Sequence, residues 1–133
     1  MDGDIKINGL SGADIMTQTE FLQTAVEMLC LLKDDELSEA RRNEIRRGVR
    51  FFLSHCIDEN LESVDANAVR HYLQHLLSEP VTKTTYLHLF SVLQHFFHWV
   101  SEVEGIFPDI TAGIVPEYKI RKARRIRRGR GAP

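Results

Sequence analysis

The sequence predicts an all-α domain of four helices, with a short arm before it and a basic tail after it. In four successive segments, apolar residues recur at steps of three and four, which is the period of an amphipathic helix. Ser, Thr or Asp stands at the start of each segment, where such residues favour a helix N-terminus. The chain has 133 residues, 43% apolar and 27% charged, which suits one globular domain with a single core.

The first helix is predicted to follow residues 1–18. These contain three Gly and no sustained period, so we expect a mobile or loosely packed arm. Thr19 then precedes a helical pattern that ends near Lys33, because the acids at 34–36 would oppose the helix dipole. Its apolar positions are Phe21, Leu22, Ala25, Val26, Leu29 and Leu32.

The second helix starts at Leu37 and Ser38, with Ser38 as its N-cap. Its core stripe is Ile45, Val49, Phe52, Leu53 and Cys56. Its other surface carries five arginines, Arg41, Arg42, Arg46, Arg47 and Arg50, of which Arg42, Arg46 and Arg50 form one row at steps of four, the arginine row. A solvated face with local ion pairs to Glu39 and Glu44 would explain them; a phosphate-binding surface is favoured because the guanidinium fork contacts phosphate in a bidentate way.

Asp65 caps the third helix, whose apolar positions are Val69, Tyr72, Leu73, Leu76 and Leu77, and Pro80 ends it. The fourth helix is predicted over Thr82–Glu104, with Gly105 as its C-cap. Its wide apolar face comprises Leu89, Leu93, Phe96, Val100 and Val103, with Leu87, Phe90, Phe97 and Trp99 beside them. One polar line, made of Thr84, His88, Ser91, His95, His98 and Glu102, is predicted to be free to meet solvent or a partner.

The net charge of −2 hides a strong segregation along the chain. Residues 1–36 carry two bases against eight acids, 37–57 five against two, 58–116 two against eight, and 117–133 eight against one. We therefore predict a helical domain over 19–115 and a basic tail over 116–133, extended or disordered until it meets a polyanion. Nucleic acid is the favoured polyanion. A nuclear-import patch, a membrane-surface tail or a merely solvated linker would carry the same charge.

Several classes of function find no support in the sequence. No apolar run approaches the roughly 18 residues of a membrane span, and there is no secretory signal, so we expect an intracellular, cytoplasmic protein. Cys30 and Cys56 lie among apolar residues, as buried thiols do. The pairs His71/His75 and His95/His98 allow two imidazoles on one helix face, but no acid or Cys joins them, so a zinc site is disfavoured. We predict no enzyme, cofactor or small-molecule substrate.

The four segments together resemble the N-terminal core-binding (SAM-like) domain of tyrosine recombinases of the phage integrase family, from about Thr19 to Ile114. The segments that carry the resemblance are LSEARRNEIRRGVRFFLSH from Leu37, DANAVRHYLQHL from Asp65, the Thr-rich start at 82–85, FSVLQHFFHWV from Phe90, Gly105, and DITAGI from Asp109. In the fourth helix, Leu87, His88, Leu89 and Gln94 stand where the family often has Asn or Arg.

The resemblance implies an orthogonal four-helix bundle that covers one face of duplex DNA while a catalytic domain closes on the other. That domain's Arg, Lys, His and nucleophilic Tyr would follow the linker and are not in this sequence. Other recombinase protomers on the DNA are further expected partners. The resulting candidate DNA-binding residues are Arg41, Arg42, Arg46, Arg47, Arg50, Thr82, Lys83, Thr84, Thr85, His88, Lys119, Arg121, Lys122, Arg124, Arg125, Arg127 and Arg128.

Two other functions compete with this one. A helical protein-interaction domain would use its bundle for a protein partner, and its tail would add only non-specific affinity for polyanions. A standalone transcription regulator is less favoured, because the sequence has no evident helix-turn-helix with a Gly-containing tight turn.

Overall fold

The computed structural model describes residues 14–103 and 106–118, which contain four helices and no strand. The helices are α1 (Ile15–Leu32), α2 (Glu39–Asp58), α3 (Ala66–Leu77) and α4 (Lys83–Glu102). The prediction of an all-α protein is confirmed for this part of the chain. None of its helices combines the length and the apolar character that a membrane crossing requires.

Three of the helices begin at the residues that the sequence predicts. The side chains of Ser38, Asp65 and Thr82 each accept a hydrogen bond from the backbone N–H three residues further on. Each side chain thereby satisfies one of the N–H groups that the first turn of a helix leaves without a partner. The predicted end of the first helix is also confirmed, since Lys33 is its C-cap.

The start of α1 differs from the prediction. Asp14, in extended conformation, accepts a hydrogen bond from the Thr17 N–H at 2.9 Å and is the N-cap. Thr19 is buried in the second turn, and its hydroxyl donates to the Met16 carbonyl oxygen at 2.9 Å. Thr19 is therefore not the helix start, and residues 15–18 of the predicted arm are helical. Residues 1–13 of that arm lie outside the described residues.

Gln18 connects α1 to the loop before α3. Only 2% of its surface is exposed, and its side-chain oxygen accepts a hydrogen bond from the Val64 N–H at 2.7 Å. Both groups are buried away from water, so each depends on this hydrogen bond, which joins segments 46 residues apart in sequence.

Replacing Gln18 by Ala is expected to lower the free energy of unfolding by about 1–3 kcal/mol, because the buried Val64 N–H loses this acceptor. Gln23→Ala is the matched control, since Gln23 is exposed on the same helix and should change stability by less than about 0.5 kcal/mol. Urea unfolding of both variants measures the difference. Equal stability of the two variants would contradict a structural role for the Gln18 side chain.

The core lies between α2 and α4, each of which contacts the other three helices. The two helices pack closely at Gly48 of α2, because a Cβ at that position would stand 2.6 Å from Cγ1 of Val92 in α4. The predicted core stripes of the second and third helices are buried without exception. They comprise Ile45, Val49, Phe52, Leu53 and Cys56 in α2, and Val69, Tyr72, Leu73, Leu76 and Leu77 in α3.

Two predicted core positions are instead at the surface. Leu32, in the last turn of α1, is 63% exposed, and Leu87 of α4 is 37% exposed. Both lie beyond the area that the neighbouring helices cover, which the period of an isolated helix does not reveal. Trp99 is half-buried and packs against the core. α4 ends at Glu102, before the predicted Glu104, and the predicted cap Gly105 lies outside the described residues.

Candidate nucleic-acid interface

The first turn of α4 presents a group of polar side chains to solvent. Thr82 caps the helix, with its hydroxyl oxygen accepting the Thr85 N–H at 3.1 Å. Lys83, Thr84 and Thr85 are all exposed. Because the N-terminal N–H groups and the helix dipole both favour negative charge, this turn is suited to a phosphate.

Tyr118 fixes the point from which the basic tail continues. Its hydroxyl donates to the Val81 carbonyl oxygen at 2.7 Å, and its ring centre lies 5.3 Å from that of the buried Tyr86. Val81 directly precedes the α4 cap, so residue 119 follows a side chain held beside the first turn of that helix. The predicted contacts from Lys119 to Arg128 lie outside the described residues.

The five arginines of α2 do not share one surface. Arg41 lies on the flank toward α4, where Nη1 is 3.3 Å from Oε1 of Glu44 and Nη2 is 3.4 Å from Nδ1 of His95. A guanidinium can only donate, so Nδ1 of His95 accepts and the neutral ring carries its proton on Nε2. Burial lowers the pKa of His95, and the charge of Arg41 lowers it further.

The arginine row is turned toward α1 rather than fully to solvent. Nε of Arg46 donates to both carboxylate oxygens of Glu27, at 3.1 and 3.0 Å, and its Nη1 donates to Asn43 at 2.9 Å. Arg42 is half-buried, and its Nε is shielded from water with no hydrogen-bond partner among the described residues. Phosphate binding by Arg42 and Arg46 stays a prediction. For Arg46 the ion pair with Glu27 matches the alternative of a face with local ion pairs.

Arg47 and Arg50 are the exposed arginines of the set. Neither makes an ion pair within the described part of the chain. Arg50 borders a recess of about 150 Å³ with Arg46 and Glu27. These two side chains can reach a phosphate without first breaking a contact.

The polar line of α4 is only partly free. His88 lies 3.9 Å from Glu44 of α2, and His95 contacts Arg41. Further along, Nε2 of His98 is 3.1 Å from Glu102, and its Nδ1 is 3.7 Å from Asp109. A groove of about 580 Å³ runs over this part of the helix, lined by Arg41, Ser91, Gln94, His95, His98 and residues 109–114. The groove mixes both signs of charge and is not a basic surface.

Two of the predicted groups of DNA contacts lie on the same pair of helices, α2 and α4. Thr85 lines a cavity with Asp58 and Glu59, at the C-terminal end of α2. Arg41 stands 17 residues before Asp58 in the same helix, a rise of about 25 Å. The first turn of α4 therefore lies toward the C-terminal end of α2, whereas His88, about one turn further along α4, is 3.9 Å from Glu44, the partner of Arg41.

One polar cluster was missed by the sequence analysis. Nε2 of His55 in α2 lies 2.8 Å from Nδ1 of His71 in α3, and the His75 ring centre is 4.9 Å from that of His55. His71 and His75 stood out by their spacing, whereas His55 comes from another helix and is buried. Within residues 14–103 and 106–118, no three His, Cys, Asp or Glu side chains are arranged to hold a metal ion.

Acidification is expected to destabilise the fold through His55 and His95. Burial lowers the pKa of His55, and so do His75 and His71, against smaller opposing effects of Glu59 and Asp58. Burial and Arg41 lower the pKa of His95. With both folded-state pKa values below the unfolded value of about 6.5, the unfolded chain binds more protons, and the free energy of unfolding falls as the pH drops through that value.

Urea unfolding at pH 7.5, 6.5 and 5.5 measures this slope. The variants His55→Gln and His95→Gln should each flatten it, because each removes one group that the unfolded state protonates more readily. A slope that both variants leave unchanged would show that other groups cause the pH dependence.

Comparisons with known proteins give no further assignment: no protein-family model, curated protein or solved structure matches the chain.

Proposed function

We propose that the chain binds duplex DNA, as a core-binding domain of a tyrosine recombinase would. The observation that supports this most is the anchoring of Tyr118 at Val81. Tyr118, held there beside the exposed first turn of α4, directly precedes in sequence a segment with eight Lys or Arg and no acid, residues 119–133. Two features that each favour phosphate are thereby adjacent, although they are 37 residues apart in sequence.

The charge of the described residues supports the tail as the main contact with DNA. Residues 14–103 and 106–118 carry eight Lys or Arg against sixteen Asp or Glu, so this part alone repels a polyanion. Arg47 and Arg50 add local attraction, whereas Arg46 would have to leave Glu27 first. Contacts of this kind neutralise backbone phosphates, so they position the protein on DNA and read little sequence.

The finer part of the proposal concerns architecture and partners. A SAM-like bundle of this kind would hold one face of the duplex while a catalytic domain acts on the other, with further protomers on the same DNA. In this arrangement most of α4 is buried in the core, and only its first turn contacts the DNA backbone. The burial of Phe90, Leu93, Phe96 and Phe97 supports that division of the helix.

Lys83→Ala tests the first turn of α4. We expect duplex affinity to fall about threefold to tenfold and the slope of log K against log salt to shrink by about 0.9, the value for one phosphate contact. Arg70→Ala is the matched control, since Arg70 is an exposed base on α3. Fluorescence anisotropy at 50–200 mM salt measures both. If the two variants weaken binding equally, net charge rather than this turn determines the affinity.

A protein-interaction domain remains the second candidate, and one observation favours it. Met28, Leu31 and Leu32 are exposed together near the end of α1 and provide an apolar contact surface. The test is a chemical-shift titration of the whole chain with duplex DNA. Shifts at Lys83 and Thr84 support DNA binding through α4. Shifts absent from every residue of 14–118 would favour the protein-interaction function.

A further inference from the structure

A cavity of about 440 Å³ lies where the C-terminal half of α2, α3 and the start of α4 meet. Its floor is apolar, with Leu76 buried, Leu89 half-buried and Phe51 48% exposed. An aromatic ring and two aliphatic side chains in one open concavity are suited to an apolar ligand group.

The rim of the same cavity is acidic. Asp58 and Glu59, at the C-terminal end of α2, are both exposed, and no Lys or Arg is among the lining residues. The C-terminal end of a helix dipole adds negative potential at this point. His55 also lines the cavity, and because burial lowers its pKa the imidazole adds no positive charge near neutral pH. The cavity is thus complementary to a segment that combines a cation with an apolar side chain.

The chain itself supplies such a segment directly after Tyr118 in sequence. Val81, whose carbonyl oxygen accepts the hydrogen bond of Tyr118, is one of the lining residues. The residues that follow are Lys119, Ile120, Arg121 and Lys122, a cationic run with one aliphatic residue. Four residues reach about 13–14 Å when extended, which is more than the width of a cavity of this volume.

We propose that residues 119–122 of the same chain occupy this cavity when no DNA is bound, with Ile120 on the apolar floor and the cationic side chains against Asp58 and Glu59. The bases held there are unavailable to phosphate, so the cavity competes with DNA for the first part of the tail. This competition rests on the proposed DNA binding, whereas the docking itself does not.

A nitroxide label at Ala123→Cys in the full chain tests the docking directly. Labelling is selective because Cys30 and Cys56 are buried, which raises the pKa of both thiols. We expect paramagnetic broadening of the amides of Phe51, Leu76 and Leu89. The double substitution Asp58→Asn with Glu59→Gln should remove most of it. The matched control, Asp34→Asn with Asp35→Asn, removes two exposed acids elsewhere and should leave it intact.

Broadening that is absent from the cavity, or that persists equally in both double variants, would overturn the docking. Duplex affinity then tests the competition: the variant at positions 58 and 59 should bind about threefold to tenfold more tightly than the control variant. If docking is confirmed by the broadening experiment but the two double variants bind duplex DNA equally well, the competition is refuted and the docking is not. Docking without measurable DNA binding of any variant would refute the proposed function and leave the docking established.

Discussion

Deleting residues 119–133 is expected to lower the affinity for duplex DNA by at least about a thousandfold at 0.1 M salt. The deleted segment contains eight bases. If all of them neutralise phosphates, the slope of log K against log salt should fall by about seven, at 0.9 per phosphate. The remaining residues 1–118 carry 19 acids against 9 bases, so little non-specific affinity should remain.

The matched control deletes only residues 131–133, which are Gly, Ala and Pro and carry no charged side chain. In anisotropy titrations from 50 to 200 mM salt, this control should have the same duplex affinity and the same slope of log K against log salt as the full chain. If the longer deletion keeps most of the affinity and of the slope, the exposed arginines of α2 carry the binding, and Arg47→Ala with Arg50→Ala should then abolish it.

The sequence predicted the helices well where the relevant interactions are local. Ser38, Asp65 and Thr82 cap helices through bonds to residues only three positions away, and those bonds depend on the residue type at one site. The start of α1 was missed because the segment after Asp14 begins with Ile15, Met16 and Thr17, which have no clear apolar period. The burial of Gln18 depends on Val64, a contact across 46 residues that no local pattern contains.

The candidate site was less predictable, because it depends on how the helices are turned toward one another. Spacing shows that Arg42, Arg46 and Arg50 share a line, but not that this line faces Glu27 of α1. Spacing likewise places His71 and His75 together and cannot add His55 from α2. The contact of Tyr118 with Val81 joins residues 37 apart, and the only sequence signal for it was one tyrosine at the start of a segment with little else to bury.

Phe52→Ala is expected to destabilise the fold by about 3–5 kcal/mol, the largest effect of any single substitution considered. Phe52 is fully buried, with its ring edge-on to Tyr72 of α3 at 5.4 Å and to Phe97 of α4 at 6.0 Å. Truncation leaves a cavity at the point where α2, α3 and α4 meet, and rigid helices close such a cavity only in part.

Phe51→Ala is the matched control, because it removes the same side chain from the preceding position, which is 48% exposed. We expect it to cost less than about 1 kcal/mol, since most of the ring is not held in the close-packed interior. The comparison also separates two roles of neighbouring phenylalanines: Phe52 joins the helices, whereas Phe51 lines the cavity proposed for residues 119–122. Urea unfolding of both variants decides the first role. If the Phe51 variant is as unstable as the Phe52 variant, the floor of the cavity is itself part of the hydrophobic core.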